Sequence, residues 1–190
     1  MKQTKQQVFG KTLSSMQNRH QGRPAAILGG GPSLPGDMDR LPDGCVLFSV
    51  NHHALEIGVP ADYLVYNDDP ESSTKLWAWV QTFKGMRFST HETSDVYFDV
   101  EVWTGFYSSH TATWLALYMG CNPVLLCGMD CYQGDVKHCH PGEPKSHSHD
   151  QPLEHHLRPW REDGLNLLPN VERVRAMSGP LVGVFGAYGE

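Results

Sequence analysis

The sequence predicts an α/β protein of one domain, a mostly parallel sheet with helices on both faces and a long histidine-rich insertion loop. Three observations predict it. Short apolar runs of strand length recur at residues 25–28, 45–50, 63–66 and 123–127, without the alternation of a half-exposed strand. Segments with apolar residues at helical spacing lie between them. Each of the first three runs gives way at its C-terminal end to small, polar or acidic residues, and in open parallel sheets ligands bind outside those carboxyl ends.

Bulk properties narrow the class. A chain of 190 residues holds one two-sided sheet core and has little room for a second. With 39% hydrophobic and 19% charged residues, 19 Gly and 13 Pro, it reads as folded and rich in turns. The net charge of −6, with no run of Lys and Arg, argues against nucleic acid as a partner. Five cysteines, an odd number and mostly in or beside apolar stretches, read as reduced thiols. Residues 1–17 carry no signal-peptide core, and no stretch approaches 18 apolar residues, so no membrane association and a cytoplasmic location are expected.

In chain order, residues 1–23 are polar and glutamine-rich and are expected to form a frayed or partner-dependent arm with at most one helix before Gly22. The domain then occupies residues 24–190. The first strand stops at Gly29-Gly30-Gly31-Pro32-Ser33, the second at Asn51-His52-His53 before a short helix over 54–57, and the third at Asn67-Asp68-Asp69-Pro70. Leu76, Trp77, Val80 and Phe83 predict a covering helix capped by Ser72 or Ser73. Residues 85–98 hold one or two short strands. Residues 108–119 predict a helix stopped by Gly120, whose N-terminus at Tyr107-Ser108-Ser109-His110 offers hydroxyls and backbone N–H groups to an anion. The strand at 123–127 ends in Gly128-Met129-Asp130-Cys131-Tyr132. The polar stretch 133–165 is too long for a plain connector and reads as an insertion or lid. A last helix over 171–177 and a last strand over 181–185 complete the expectation.

Three constellations carry candidate chemistry, each beside a plainer reading. The triple glycine lets backbone approach a phosphate or base, but it lacks the dinucleotide spacing and the Lys-Ser/Thr of a P-loop, and a turn without ligand explains it equally. Asn67-Asp68-Asp69 offers carboxylates to Mg²⁺ or an amide to a ribose or base; the alternative is a turn with Asp69 as a cap before Pro70. Six of the eleven histidines, His138, His140, His147, His149, His155 and His156, fall within the insertion. Two His-x-His pairs suit zinc, or a proton-transfer role, or a merely soluble loop, and the sequence leaves the metal open. Cys131 and Cys139 make poor nucleophile candidates, since a neighbouring histidine in sequence does not give a productive geometry. Trp77, Trp79, Trp103 and Trp114 read as packing.

Taken together, Ile27 to Leu34, Ser49-Val50-Asn51, Val65-Tyr66-Asn67, Ser108-Ser109 opening a helix, and Leu126 to Tyr132 resemble, in order and approximate spacing, bacterial lipooligosaccharide sialyltransferases. They also resemble the family similar to the archaeal 6-hydroxymethylpterin pyrophosphokinase, the MptE-like proteins, over about residues 24–140. The first resemblance implies that Gly29, Gly31, Asn51 and Asn67 contact a cytidine nucleotide, with Gly30, Pro32 and Ser33 in the same turn. It implies that Ser108 or Ser109 touches the donor, that Tyr132 touches its phosphate, and that His138 stands where the family has a second phosphate-binding tyrosine. The general base falls to His155 or His156. The second resemblance implies that Asp68 and Asp130, beside Gly128, hold Mg²⁺ on ATP.

The expectation is therefore a Rossmann-like nucleotide-donor transferase. It moves sugar from a cytidine-type nucleotide sugar to a small-molecule or glycan acceptor with no cofactor required, and with His138, His155 and His156 catalytic. The alternatives are Mg²⁺- and ATP-dependent diphosphate transfer, and a non-catalytic nucleotide-binding or assembly module. A homo-oligomer is compatible with each.

Overall fold

The computed structural model describes residues 13–97, 107–143 and 146–189. Among these residues, seven strands, β1 (Ala25–Leu28), β2 (Val46–Val50), β3 (Tyr63–Tyr66), β4 (Met86–Ser89), β5 (Val96–Tyr97), β6 (Val124–Cys127) and β7 (Val174–Ala176), form one sheet in the order β5-β4-β3-β2-β1-β6-β7. Every pairing is parallel. β1 is central: Ile27 lies opposite Phe48 on one side and Leu126 on the other. All four β1 residues are buried, as are those of β3 and β6, which is why these segments read as continuous apolar runs.

Side chains alternate between two covered faces. Ala25, Ile27, Phe48, Val65, Phe88 and Leu126 turn toward α4 (Ser108–Tyr118), while Ala26, Leu28, Leu125 and Cys127 turn toward α1 (Leu34–Met38) and α2 (His53–Glu56). Each fully buried Leu, Ile or Phe contributes roughly 1.5–3 kcal/mol. α3 (Thr74–Thr82) covers Leu64 and Tyr66 through Leu76 and Val80. Ser73 caps it by accepting from the Leu76 N–H at 3.3 Å, and Asp69 accepts from the Glu71 N–H at 3.1 Å to open the preceding turn, so the cap reading of Asp69 holds. α4 is buried from Ser108 through Thr113 and again at Leu115 to Leu117, more completely than one apolar stripe implies. Gly120, with φ +82°, ends it in the left-handed conformation that a helix stop requires.

Several expectations are corrected. Residues 171–177 form a short 3-10 turn, Val171–Arg173, followed by β7, and residues 181–185 hold α7 (Val182–Phe185), so the expected last helix and last strand exchange places. The physical reason is that the short apolar run at 181–185 fits either element, while Val174-Arg175-Ala176 has the alternating burial of a strand. The free edge of β6 decides, taking Val174, Arg175 and Ala176 as partners of Val124, Leu125 and Leu126. Residues 13–23 are not a frayed arm. Met16 is buried in the core, and the Asn18, His20 and Gly22 N–H groups donate to the carbonyls of Tyr118, Met119 and Gly120. The rest of the arm, with Phe98, Trp103 and residues 144 and 145, lies outside the described residues.

The insertion is also structured. It contains a 3-10 turn, His147–Asp150, and α5 (Leu153–Pro159), which continues through a π-helical turn, Trp160–Gly164, into α6 (Leu165–Leu167). Leu157 and Trp160 are buried against the α4 face of the sheet. Among the described residues no helix is long and apolar enough to cross a membrane.

Candidate functional site

The chain runs from β1 outward to β5, then returns to place β6 on the other side of β1. Loops leaving β1 and β6 must therefore part, and a crevice opens between them at the carboxyl ends of the strands. A cleft of about 440 Å³ occupies that position. Its floor carries Gly29, Gly30, Gly31, Asn51, Asn67, Asp68, Gly128 and Asp130 from the strand ends. Ser108 and Ser109 enter from α4, and Tyr132, His138 and His156 from the last loop and the insertion. Pro32, Ser33 and His155 do not line it; His155 is exposed on α5.

The glycines have a local cause. A Cβ on Gly29 would stand 2.5 Å from the Gly128 carbonyl oxygen, one on Gly30 would stand 2.7 Å from the His53 ring, and one on Gly31 would collide with the Asp130 carboxylate. Close packing of the protein on itself thus demands all three residues. Asp130 is engaged with this turn, accepting from the Ser33 N–H at 3.1 Å and from its hydroxyl at 2.8 Å. Ser33 opens α1, and the insertion reaches the same turn, the Cys139 N–H donating to the Gly30 carbonyl at 2.8 Å.

Asp37, one turn further on, was not singled out from sequence. Only 1% exposed, it accepts from the Gly128 N–H at 2.9 Å, the Ser178 hydroxyl at 2.9 Å and the Arg40 guanidinium at 2.7 Å. One carboxylate thereby joins the β1 turn, the β6 loop and the segment before α7. A Ser33-x-x-x-Asp37 spacing at a helix start was the available signal.

Backbone strain marks two further edges. Asn51 has φ +53°, and Cys131 and Tyr132 have φ +51° and +55°. Asparagine tolerates this region, but a tyrosine held there costs roughly 1–3 kcal/mol, and such residues gather at ligand sites. Asn51 donates from its amide to Asp68 at 3.1 Å, and its Oδ1 is buried without a hydrogen-bond partner among the described residues. Asn67 is tied in on several sides: its N–H donates to the Ser108 hydroxyl, its amide to Thr111, and its carbonyl accepts from His91.

The opposite wall is aromatic. The Tyr132 ring contacts His138, His149 and His156 at centroid distances of 5.7, 4.8 and 5.3 Å. Burial, then the nearby Asp68, raises the Tyr132 phenol, which stays a hydrogen-bond donor at neutral pH. His138 Nε2 is 3.0 Å from His149 Nε2, and His138 Nδ1 is buried without a partner among the described residues. Burial lowers His138, reinforced by His149, and burial also lowers His156. Both rings are therefore neutral near pH 7. His156 Nε2 lies 3.1 Å from the Ser148 carbonyl and must carry its proton there, which leaves Nδ1 with the lone pair.

Sequence reasoning missed Lys137, whose ammonium donates to the Tyr132 carbonyl at 2.7 Å and lines the cleft, and His53, which lines it beside Gly30. A lone lysine in a polar insertion carries no signal of this. The cysteines are free, and burial pushes Cys131 up to about 12 and Cys139 up to about 11, which keeps them as inert thiols.

No protein-family model matches the chain, and no curated protein matches it. Solved structures do. The chain is similar to the sialyltransferase CstII from Campylobacter jejuni in complex with a substrate analogue, cytidine-5'-monophosphate, at 15% identity over 88% of this chain and 85% of that one, with a TM-score of 0.55. It is similar to the monofunctional alpha-2,3-sialyltransferase Cst-I from Campylobacter jejuni at 16% identity, over 87% and 80% of the two chains, with a TM-score of 0.55. CST-II in complex with a trisaccharide acceptor and CMP matches at 16% identity, over 87% and 86%, with a TM-score of 0.52. At such identities what is shared is the α/β fold, here with these enzymes along most of both chains.

Proposed function

We propose that the protein is a glycosyltransferase that takes its sugar from a cytidine-type nucleotide donor bound in the cleft between β1 and β6. One observation carries the reading: loops from β1, β2, β3 and β6, and the start of α4, supply the walls of a single cleft at the point where the sheet order reverses. The fold shared with a CMP-bound sialyltransferase adds weight to a cytidine nucleotide over other nucleotides.

In this reading the acceptor hydroxyl attacks the anomeric carbon, and the bond from that carbon to the nucleotide phosphate oxygen breaks. The hydroxyl proton goes to His156 Nδ1, and the departing phosphate takes the electron pair. Tyr132 donates its phenol hydrogen to that phosphate, His138 donates where it holds a proton, and the Lys137 ammonium adds positive charge. The start of α4 contributes backbone dipoles, since Tyr107 gives its helix no side-chain cap. His156 is preferred to His155 as the base because it lines the cleft while His155 faces solvent.

The test is transfer from a CMP-linked sugar to a panel of glycan acceptors, followed by release of CMP. The wild-type chain is expected to turn over, and the combined His138→Ala, His155→Ala and His156→Ala variant to lose that turnover while keeping its fold. Full turnover in the triple variant on an identified acceptor contradicts the assignment. Mg²⁺-dependent release of AMP from ATP, abolished by Asp68→Asn, would instead support diphosphate transfer.

A further inference from the structure

The histidines of the insertion part company in space. His138 meets His149, whereas His140 turns to His52 and His53 at the end of β2. One ligand atom from each of His52, His53, His140 and Glu143 lies within 4.8 Å of the other three. His53 Nδ1 is 2.9 Å from His140 Nε2, His52 Nε2 is 2.9 Å from Glu143 Oε1, and His140 Nε2 is 3.9 Å from the same oxygen. Donor atoms around a tetrahedral zinc ion are about 3.3 Å apart, so small side-chain adjustments bring these four to one centre.

We propose that His52, His53, His140 and Glu143 form a four-ligand site for a divalent transition metal of the zinc class, which clasps the insertion onto the turn that follows β2. The donor chemistry selects the metal: three imidazoles and one carboxylate suit Zn²⁺ and its neighbours, whereas Mg²⁺ and Ca²⁺ take oxygen. The tautomer of His140 fits as well. The His140 Nδ1–H donates to the Pro141 carbonyl at 3.2 Å, which fixes the tautomer and turns the Nε2 lone pair toward the cluster.

Four protein ligands close a tetrahedral shell and leave no position for an activated water, which marks the site as structural. The ligands come from two places, adjacent residues after β2 and an i,i+3 pair in the insertion, so one ion ties parts of the chain 87 residues apart at His53 and His140. The His53 ring fills the space beside Gly30, so the clasp fixes one wall of the cleft. None of its ligands is among the residues proposed above to act on the substrate, and the site stands whether or not the protein transfers sugar.

The probe is Co²⁺, titrated into protein stripped with a chelator and followed by the visible absorption of four-coordinate cobalt. Expected are saturation at one equivalent per chain, displacement by Zn²⁺, and a melting temperature that rises with Zn²⁺. His140→Ala and Glu143→Gln are each expected to weaken Co²⁺ binding by at least about 100-fold, since even supporting residues around a metal cost about 10–100-fold. His147→Ala, outside the cluster, is expected to leave it unchanged. Glu143→Gln keeps the side-chain volume and carries the test if His140→Ala fails to fold. The proposal is overturned if stripped protein that melts cooperatively shows no saturable one-equivalent binding. It is equally overturned if binding survives in a folded Glu143→Gln variant.

Discussion

The two walls of the cleft are built by opposite means. On the glycine side, backbone packs on backbone, and two carboxylates, Asp37 and Asp130, satisfy the N–H groups of the turns that result. On the histidine side, rings from three stretches meet: His53 after β2, Tyr132 after β6, and His138, His149 and His156 of the insertion. The first wall fixes shape and so belongs to stability. The second holds the groups that, in the proposed reaction, move a proton and steady a phosphate.

Substitutions can break that division, and the largest effect is expected at His156. Replacing it with Gln should lower transfer by about 10²–10⁴-fold, the usual range for a general base, with the melting temperature nearly unchanged. Steady-state kinetics beside a thermal melt reads both. Asp37→Ala should do the reverse, lowering the unfolding free energy by about 1–3 kcal/mol in urea titrations, because it removes the acceptor of the buried Gly128 N–H and of the Ser178 hydroxyl. A loss below about 0.5 kcal/mol would show that the glycine wall is held otherwise.

The buried imidazoles set a pH dependence. His110 is fully buried, and burial lowers it to about 3; His53 is lowered to about 3 as well. In the unfolded chain both return to the ordinary value of about 6.5. Between these values the unfolded state binds more protons, so their contribution is complete above about pH 7 and is lost as pH falls from 6.5 toward 3. Urea midpoints of metal-free protein should follow that slope, and His110→Phe should flatten it. Gly30→Ala, which drives a Cβ toward the His53 ring, should cost about 1–3 kcal/mol and disturb both walls at once. The smallest effect is expected at His155, where Ala should leave kcat within about twofold and stability within about 0.5 kcal/mol.

The same contrast explains what was legible in the sequence. Strand ends are local: a strand followed by Gly29-Gly30-Gly31, Asn51, Asn67 or Gly128-Met129-Asp130 can be read from neighbours alone, and the parallel sheet then brings these residues together. The histidine wall depends on how the insertion folds back, and no spacing encodes that His140 meets His53 while His138 meets His149. The exchange of helix and strand after residue 170 has a related origin, since segments this short fit both elements until the edge of β6 selects the strand. Asp37 stayed hidden because its partners Gly128 and Ser178 lie far along the chain.

In the proposed reaction the cleft receives a cytidine nucleotide without a metal on its phosphate. Calorimetric titration of the purified protein with CMP, CDP, UDP and ATP, each with and without Mg²⁺, tests it most directly. Expected is one-to-one binding of CMP or CDP that Mg²⁺ does not change and that Tyr132→Phe weakens. Binding of ATP only when Mg²⁺ is present, or of none of the four, would contradict it.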